Sequence, residues 1–456
     1  MSEPYTPHKY QEDGIAFLLE RGCAGLFLHP GLGKTSTTLA TFHILKQQGL
    51  ADSMLVLAPL RVCYTTWVSE PKKWDFSSDY SIGILHGPNK NDVLREQHDI
   101  YVLNYDGLAW FVENMPKCFD SHMLVMDEST KLKHANTQRF KTLKKVLNKF
   151  RRRYILTGTP APNGLMDLFG QVYAMDLGAT FGPYITHFRN KYFTPSGFNG
   201  YEWKPKPDAG ERIFEALAPR VLTMKTEDYL ELPELVETTV EVELPPKARA
   251  IYTQMEEQFL LSFKAGDVVA SNSAVASMKC RQICGGSVYG EDRATHVVHS
   301  AKLDALEDLI EELSGQPALV AYEFEHELLE IKKRFPDAPH IGGTKGSVSN
   351  AELPALIAKW CRGEIPMLLA NPASLAHGVD GLQGAGRAVI WYTPTWNLEY
   401  REQYIRRIWR QGQKERVFVY NIVASKTVDE VVMSAIASKD KTQTGLMNAL
   451  RDYWKK

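Results

Sequence analysis

The stretch HPGLGKTST, residues 29–37, decides the fold, because it follows a short apolar run and opens a segment with helical periodicity. Its glycines permit tight backbone curvature, and successive backbone N–H groups at the start of a helix can cradle phosphate oxygens. Lys34 can neutralise the β- and γ-phosphates of a nucleotide, and the Thr35 hydroxyl can hold Mg²⁺. The stretch therefore predicts a phosphate-binding loop, although Leu28 stands where the common pattern has glycine, and an ordinary strand-to-helix turn is the alternative.

A second motif, VMDE at 125–128, is an apolar strand that ends in two carboxylates. Asp127 can bind Mg²⁺ through water, and Glu128 can polarise the water that attacks the γ-phosphate. An acidic strand end alone is more often a surface turn. This one follows the phosphate loop by about 90 residues, an order shared by many NTPases, and the pair predicts ATP hydrolysis.

Short apolar runs alternate with helical segments in both halves of the chain, which predicts an α/β fold with two parallel-sheet lobes in tandem. The predicted strands are 24–29, 53–59, 99–104, 122–128, 152–159, 318–324, 365–371, 387–394 and 415–423. The predicted helices are 34–48, 62–74 (broken near Pro71), 246–264, 271–284, 300–313 and 326–335. We expect lobe 1 over 1–232, with an insertion at about 165–232, and lobe 2 over 233–456, with a helical insertion at about 245–295.

Composition limits the function classes. The 456 residues include 53 basic and 54 acidic side chains, so a nucleic acid must be met by local patches and not by net charge. The six cysteines lack the paired spacing of a zinc site, and the sequence contains neither a signal peptide nor a membrane span. We expect a reduced, cytoplasmic protein with no membrane partner.

Two segments carry the local positive charge that the whole chain lacks. Residues 131–153 include ten Lys or Arg and no Asp or Glu, which predicts a polyphosphate contact, a solvated helix face being the alternative. In the segment 188–208, Arg189 and Lys191 alternate with aromatic side chains. Such a pattern can stack on bases or can equally stabilise an exposed hairpin.

Near the end of the chain, QYIRRIWRQGQ (403–413) places Arg407 and Arg410 three residues apart, which predicts that both lie on one helical face. From there the two guanidiniums can reach a nucleotide as arginine fingers. A solvated charge cluster is the alternative.

The stretch LTGTPAPNG (156–164) leaves a strand through small and polar residues, a geometry suited to sensing the γ-phosphate.

Together these segments resemble the Swi/Snf-type DNA translocases of helicase superfamily 2, over nearly the whole chain. The matching segments, in chain order, are HKYQEDG (8–14), HPGLGKT (29–35), VLAPL (56–60), DEST (127–130), LTGTPAPN (156–163), VLTMKTEDYLELPE (221–234), ALVAYEF (318–324), ANPASLAHGVDGLQGA (370–385) and QYIRRIWRQGQ (403–413). The segment at 221–234 is similar to a signature between the lobes that general helicases lack. No chromodomain-like, bromodomain-like or zinc-finger reader accompanies the motifs, which argues against a dedicated chromatin remodeller.

The resemblance implies two RecA-like lobes, a DNA-dependent ATPase that uses ATP and Mg²⁺, and sequence-independent movement on double-stranded or branched DNA. It implies adenine recognition by Gln11, and a catalytic set of Lys34, Asp127, Glu128, Arg407 and Arg410. The implied nucleotide contacts are Gln11, Gly31, Leu32, Gly33, Lys34, Thr35, Ser36, Gly378 and Asp380, with Mg²⁺ near Thr35 and Asp127. The implied DNA contacts are Arg61, Lys131, Lys133, Arg189 and Lys191.

The chain also departs from this family. Ser129 and Thr130 stand where the family more often has Ala or Gly followed by His, so the coupling of hydrolysis to the 156–163 segment is expected to differ in detail. His29 and Trp409 are also unusual at their positions. We expect a monomer, because one chain supplies both halves of the ATP site. A strand-separating or branch-migration helicase, and a nucleotide-gated DNA-binding subunit of a repair or defence complex, remain alternatives.

Overall fold

The computed structural model describes residues 2–115, 123–196, 202–229, 232–264, 278–290, 294–343, 346–349, 352–375 and 379–439. The chain divides into two compact units. The first contains the described residues up to 229 together with Lys439, and the second contains those from 232 to 438.

The first unit is built on a seven-stranded parallel sheet flanked by a short antiparallel hairpin, β7–β8. Its strands are β1 (Cys23–Leu28), β2 (Met54–Ala58), β3 (Ile82–Ile84), β4 (Ile100–Asn104), β5 (Met123–Asp127), β6 (Arg152–Thr157), β7 (Phe193–Ser196), β8 (Glu202–Pro205) and β9 (Val221–Met224). The order across the sheet is β3-β4-β2-β5-β6-β1-β9, and every neighbouring pair is parallel. The phosphate-loop strand and the carboxylate strand therefore lie on either side of β6.

Helices cover both faces of this sheet, so its strands are apolar throughout rather than alternating. The helices are α1 (Lys9–Glu20), α2 (Lys34–Gln47), α3 (Leu60–Tyr64), α4 (Thr66–Lys73), α5 (Lys90–Arg95), α6 (Leu108–Asn114), α7 (Gln138–Lys144), α8 (Leu168–Asp176), α9 (Ile185–Tyr192), α10 (Ala209–Leu217) and α11 (Thr226–Tyr229). Along β2, Leu55 and Leu57 pack into the core on one face, and Met54 and Val56 pack into the core on the other.

Two predictions about the first unit need correction. The helix expected to break near Pro71 instead breaks at Thr65, whose backbone (φ −107°, ψ −84°) separates α3 from α4, and Pro71 lies inside α4. Proline is tolerated there because α4 is short and loses a single hydrogen bond to it. The segment expected to be an insertion, 165–232, also supplies β9, which pairs with β1 as the edge strand of the sheet itself.

The second unit has a six-stranded parallel sheet in the order β10-β17-β16-β13-β15-β14, with a hairpin β11–β12. Its strands are β10 (Leu235–Val242), β11 (Ser287–Tyr289), β12 (Thr295–Val297), β13 (Ala318–Ala321), β14 (His340–Ile341), β15 (Met367–Ala370), β16 (Ala388–Trp391) and β17 (Val417–Ala424). Its helices are α12 (Pro246–Lys264), α13 (278–284), α14 (Ala301–Glu312), α15 (Glu325–Arg334), α16 (Leu353–Cys361), α17 (Pro372–Leu375), α18 (Leu398–Ile405) and α19 (428–439). The two parallel sheets with flanking helices confirm the expected RecA-like fold.

Within the described part of the chain, no helix has the length and apolar character needed to cross a membrane.

Candidate active site

The loop that joins β1 to α2 has the backbone that its glycines predict. Gly31 and Gly33 adopt φ values of 92° and 73°, in the left-handed region that other residues rarely occupy. A Cβ at Gly33 would also lie 2.2 Å from the Gln11 side-chain nitrogen. Both positions therefore require glycine, and the loop turns directly into the amino end of α2, where backbone N–H groups lack partners within the helix.

Some side chains of the loop can contact a bound nucleotide, and others stabilise the conformation of the loop itself. Lys34 donates through Nζ to the Leu28 carbonyl oxygen at 2.9 Å, and Thr35 is half-buried in the first turn of α2. Ser36 is buried and donates to the Gly33 carbonyl at 3.0 Å, while the Leu32 side chain is fully buried in the core. Lys34 and Thr35 can therefore act through their side chains, and Leu32 only through its backbone.

Gln11 lies on α1, beside the phosphate loop. Its side-chain oxygen accepts from the His8 backbone N–H at 2.9 Å, and its side-chain nitrogen lies 3.5 Å from the Ser36 hydroxyl. The side chain is buried in this position. The structure thus places Gln11 against the loop, where an adenine would have to compete for its amide group.

His29 ties the loop to the segment that follows β9. Its backbone N–H donates to the Met224 carbonyl at 3.1 Å, and its ring Nδ1 accepts from the Thr226 backbone N–H at 3.4 Å. This bond gives a structural reason for the unusual histidine, since it joins the phosphate loop to the segment at 221–234.

Asp127, at the carboxyl end of β5, is buried and held by three neighbours. Its carboxylate accepts from the Trp67 indole N–H at 2.9 Å and from the Glu128 backbone N–H at 3.0 Å. The Tyr105 hydroxyl donates to its backbone carbonyl at 2.8 Å. Burial raises the pKa of Asp127, whereas the Trp67 hydrogen bond and the charge of Lys34 act in the opposite direction. Because β1 and β5 lie on either side of β6 in a parallel sheet, the loop after β1 and this carboxylate lie at one edge of the sheet.

Glu128 has a left-handed backbone, with φ 51° and ψ 57°. A residue with a Cβ adopts this conformation at a cost of about 1 kcal/mol, and strained residues of this kind cluster at functional sites. This conformation turns the chain sharply after Asp127, so Glu128 does not continue in the direction of β5.

The segment after β6 lies between the loop and the carboxylates. A Cβ at Gly158 would lie 2.9 Å from the Pro30 side chain, so this segment packs directly on the phosphate loop. The Thr157 hydroxyl accepts from the Thr159 backbone N–H at 3.1 Å. The Thr159 hydroxyl is buried and has no hydrogen-bond partner among the residues that the structure describes, so it can bond a group that arrives later.

In the second unit, Arg407 and Arg410 meet at one carboxylate. The Arg407 Nη1 donates to the Val379 carbonyl at 2.9 Å and to the Asp380 Oδ1 at 3.3 Å, and the Arg410 Nη1 donates to the same oxygen. Partial desolvation of the carboxylate beside the arginines acts to raise the pKa of Asp380, but the charges of Arg410 and Arg407 outweigh it and lower the pKa. Gly378, the other predicted nucleotide contact in this segment, lies outside the described residues.

The prediction that these arginines share a helical face is wrong. The helix α18 ends at Ile405, and the backbone then continues through turns, with the Ile408 N–H bonded to the Ile405 carbonyl at 3.1 Å. Turns and not helical periodicity bring the two guanidiniums together.

The predicted DNA contacts occupy two regions of the first unit. Arg61 on α3, with Lys131 and Lys133 in the turn after Glu128, lies near the carboxyl edge of the sheet, and burial lowers the pKa of Arg61. Arg189 and Lys191 lie on α9, where their cationic groups are 5.6 Å and 5.0 Å from the ring centroids of Trp203 and Tyr192. These cations are partly or fully exposed, with their aromatic neighbours packed beneath.

The count of ten cations over 131–153 overstates the surface that could meet a polyphosphate. Arg153 is buried and donates to the Met175 carbonyl at 2.9 Å, and Arg152 donates to the Leu19 carbonyl at 3.2 Å. Arg139 forms an ion pair with Asp106 at 2.6 Å. These three arginines stabilise the first unit itself, which leaves Arg151 and the lysines of α7 and its surroundings as the cations that a polyphosphate could meet.

Sequence reasoning missed three residues that shape this site: Trp67, Tyr105 and Gln171. Each is buried and bonds to the carboxylate motif or the turn that follows it. A buried indole or phenol needs a polar partner, so Trp67 and Tyr105 in apolar segments were a usable signal. Gln171 in the apolar run LFGQVYAM gave a similar signal, because a buried amide must also be hydrogen-bonded.

The donor set fits a nucleotide-bound magnesium ion. Within the described ranges, no group of three or more His, Cys, Asp or Glu side chains is arranged to hold a metal by itself. A hydroxyl at a helix start and one strand-end carboxylate, here Thr35 and Asp127, are the ligands that suit Mg²⁺ shared with phosphate oxygens.

Comparison with known proteins gives a family and several relatives. Residues 10–287 match the family described as the SNF2-related domain. Protein p41 of Acyrthosiphon pisum secondary endosymbiont phage 1 is 34% identical, covering 98% of this chain and 99% of the phage protein. YwqA of Bacillus subtilis (strain 168), named as an ATP-dependent helicase/translocase, is 25% identical over 96% of this chain, which spans 48% of YwqA.

Among solved structures, the SWI2/SNF2 ATPase core of Sulfolobus solfataricus in complex with dsDNA covers 98% of this chain and 95% of its own. The identity is 22% and the TM-score is 0.45.

Proposed function

The chain belongs to the SNF2-related family of DNA-dependent ATPases, and from this premise we propose that it is a motor that moves along double-stranded or branched DNA without sequence preference. The observation that carries the proposal is the placement of the glycine loop, with Lys34, and of Asp127 at one edge of a parallel sheet, together with an arginine pair in a second RecA-like unit. Such a motor remodels DNA or protein–DNA complexes as it moves.

In the first unit, we assign nucleotide binding to the loop and hydrolysis to the carboxylates. Backbone N–H groups of 31–36 and the Lys34 ammonium bind the phosphates, and Lys34 exchanges its bond with the Leu28 carbonyl for one with a phosphate oxygen. Glu128 orients and deprotonates the attacking water. Thr35 and Asp127 would hold a Mg²⁺ ion that arrives with the phosphates, and that ion would supply neutralising charge.

In the second unit, we assign transition-state stabilisation to Arg407 and Arg410. Both guanidiniums donate hydrogen bonds to Asp380 in this structure, so each already binds an anionic partner. A phosphate oxygen offers the same charge-assisted hydrogen bonds as this carboxylate. Exchange of one anion for the other during the ATP cycle would couple hydrolysis to movement of the second unit.

DNA contact is assigned to five partly or fully exposed cations of the first unit: Arg61, Lys131, Lys133, Arg189 and Lys191. Contacts of lysine and arginine side chains with backbone phosphates carry no information about the base sequence. Sequence-independent binding that weakens with salt follows from this composition.

The test is the steady-state ATPase rate with no nucleic acid, duplex DNA, forked DNA, single-stranded DNA and RNA, with Lys34→Ala as the control. We expect strong stimulation by duplex or forked DNA and loss of the rate in the control. Displacement of a third strand from a triplex then reports movement, and release of a strand from a forked duplex would indicate a helicase instead.

ATP-dependent DNA affinity without triplex displacement would contradict the motor and indicate a nucleotide-gated DNA-binding subunit. A rate that no nucleic acid changes would overturn the proposal.

A further inference from the structure

Ser129, which directly follows the two carboxylates, is joined to α8 by a buried side-chain hydrogen bond. Its hydroxyl donates to the Gln171 side-chain oxygen at 2.8 Å, and both side chains are completely buried. Buried polar groups are rarely placed without a partner, and removing one partner leaves the other unsatisfied at a cost of about 1–3 kcal/mol. The bond is therefore a firm connection between the carboxylate motif and α8.

The same Gln171 amide also bonds to the segment after β6. Its side-chain nitrogen donates to the Pro160 carbonyl and to the Asp167 carbonyl, both at 2.8 Å. The Asp167 carboxylate in turn accepts from the Asn163 backbone N–H at 2.8 Å. One side chain thus fixes the turn after Glu128 and the loop at 160–167 relative to each other.

The helix α8 comes unusually close to this turn. A Cβ at Gly170 would lie 2.1 Å from the Leu132 carbonyl oxygen, so only glycine permits the approach. The neighbouring Gln171 can reach Ser129 because of this contact. Gly170 therefore permits the close approach of α8, and Gln171, the next residue, forms the hydrogen bond that this approach allows.

Glu128 is the residue that this connection affects. Its left-handed backbone is strained, and such a conformation persists only where the flanking residues are fixed. On one side Asp127 is bonded to Trp67 and to the Tyr105 hydroxyl. On the other side Ser129 is bonded to Gln171.

We propose that Gln171 is a positioning residue for ATP hydrolysis, which holds Glu128 through Ser129 and couples its position to the loop at 160–167. The inference rests on the proposed ATPase activity. The Gln171 amide is bonded to Ser129 and to the Pro160 and Asp167 carbonyls. It acts by maintaining the Glu128 backbone, and a shift of the carboxylate pair during the ATP cycle passes through the amide to the Pro160 carbonyl.

The test compares Ser129→Ala, Gln171→Met and the double variant with Ser77→Ala as the matched control. Ser77 is an equally buried serine of the first unit, which donates to the Pro71 carbonyl at 2.8 Å outside the site. A displacement of about 1 Å at a catalytic group can lower a rate by about 100-fold. We expect each single variant to lower kcat at saturating duplex DNA by about 10- to 100-fold, with the KM for ATP unchanged.

Two further readouts separate positioning from general stability. The double variant should lose no more kcat than either single variant, because the two side chains act as one unit. Amide hydrogen exchange over 157–171 should rise in Ser129→Ala and Gln171→Met and stay at the wild-type level in Ser77→Ala.

A kcat for Ser129→Ala no lower than that of Ser77→Ala, or multiplicative losses in the double variant, would overturn the proposal. Amide exchange over 157–171 that stays at the wild-type level in Ser129→Ala and Gln171→Met would also overturn the proposal, whether or not ATP is hydrolysed. Failure of the wild-type protein to hydrolyse ATP would refute the proposed function instead, and the exchange comparison would still decide the role of Gln171.

Discussion

The two units hold their candidate-site carboxylates in opposite ways. Asp127 in the first unit is buried and bonded to the neutral indole N–H of Trp67, and its pKa is raised. Asp380 in the second unit is 62% exposed and bonded to two guanidiniums, and its pKa is lowered. The first unit therefore buries its carboxylate among neutral hydrogen-bond donors, whereas the second holds an exposed carboxylate between two cations.

The second unit keeps its own buried charges elsewhere. Lys302 and Asp429 form an ion pair at 2.6 Å with both side chains completely buried. Burial raises the pKa of Glu327 to about 7, although the Thr393 hydroxyl and backbone N–H groups act to lower it. The buried carboxylate of the first unit, Asp127, belongs to the proposed catalytic site. The buried charges of the second unit lie instead on α14, α15 and α19, where these helices pack.

The largest expected effect comes from Arg407→Ala. An arginine that stabilises phosphoryl transfer contributes about 10³–10⁵ in rate, so the DNA-stimulated kcat should fall by that range. The steady-state ATPase assay at saturating DNA measures it. Arg362, an exposed arginine of the same unit paired with Glu364, provides the control variant Arg362→Ala, which should keep the wild-type rate. An unchanged kcat for Arg407→Ala would show that Arg407 does not contribute to hydrolysis and that the two units do not differ in this way.

The second prediction concerns stability. Lys302→Met leaves Asp429 buried without its cation, which should lower the free energy of unfolding by about 3–5 kcal/mol. Urea unfolding measures this loss. Lys333→Met, which breaks the exposed pair with Glu330, should cost less than about 1 kcal/mol. Equal losses in the two variants would show that burial does not set the value of an ion pair in this unit.

The smallest effect is expected from Trp67→Phe, which removes a hydrogen bond that stabilises the charged form of Asp127. The pKa of Asp127, already raised by burial, should rise further because this hydrogen bond acts to lower it. Since Asp127 must be ionised to act, ATPase activity should be lost at a higher pH than in the wild type as the pH falls. The pH profile of kcat/KM measures the acidic limb.

Trp74→Phe is the matched control, because the Trp74 indole donates to Glu70 at 3.1 Å away from the carboxylate motif. Its acidic limb should coincide with that of the wild type. A coincident limb for Trp67→Phe would mean that Asp127 does not limit the reaction at low pH.

Much of the fold could be predicted from the sequence, because strands buried on both faces are short apolar runs and helices between them keep their periodicity. The runs that became β1, β2, β4, β5 and β6 were all identified. The two-residue strand β14 and the strands β3 and β9 were not, since pairing with a neighbour, and not composition, makes so short a segment a strand.

The phosphate loop and the carboxylate pair could be identified because their chemistry depends on local spacing. The bond between Ser129 and Gln171 spans 42 residues, and that between Trp67 and Asp127 spans 60. No local pattern records such a pair. The arginine pair was identified for the wrong geometric reason, since turns after Ile405 bring the side chains together.

The sequence by itself determined that two parallel sheets form, and it predicted the phosphate loop and the carboxylates at and just after the end of β5, because these features follow from residues close in the chain. Only the tertiary structure decided which partners hold those groups: Trp67 and Tyr105 at Asp127, Gln171 at Ser129, and Asp380 between Arg407 and Arg410. The physical reason is that burial and hydrogen bonding depend on distance in space, which folding sets between residues far apart in sequence.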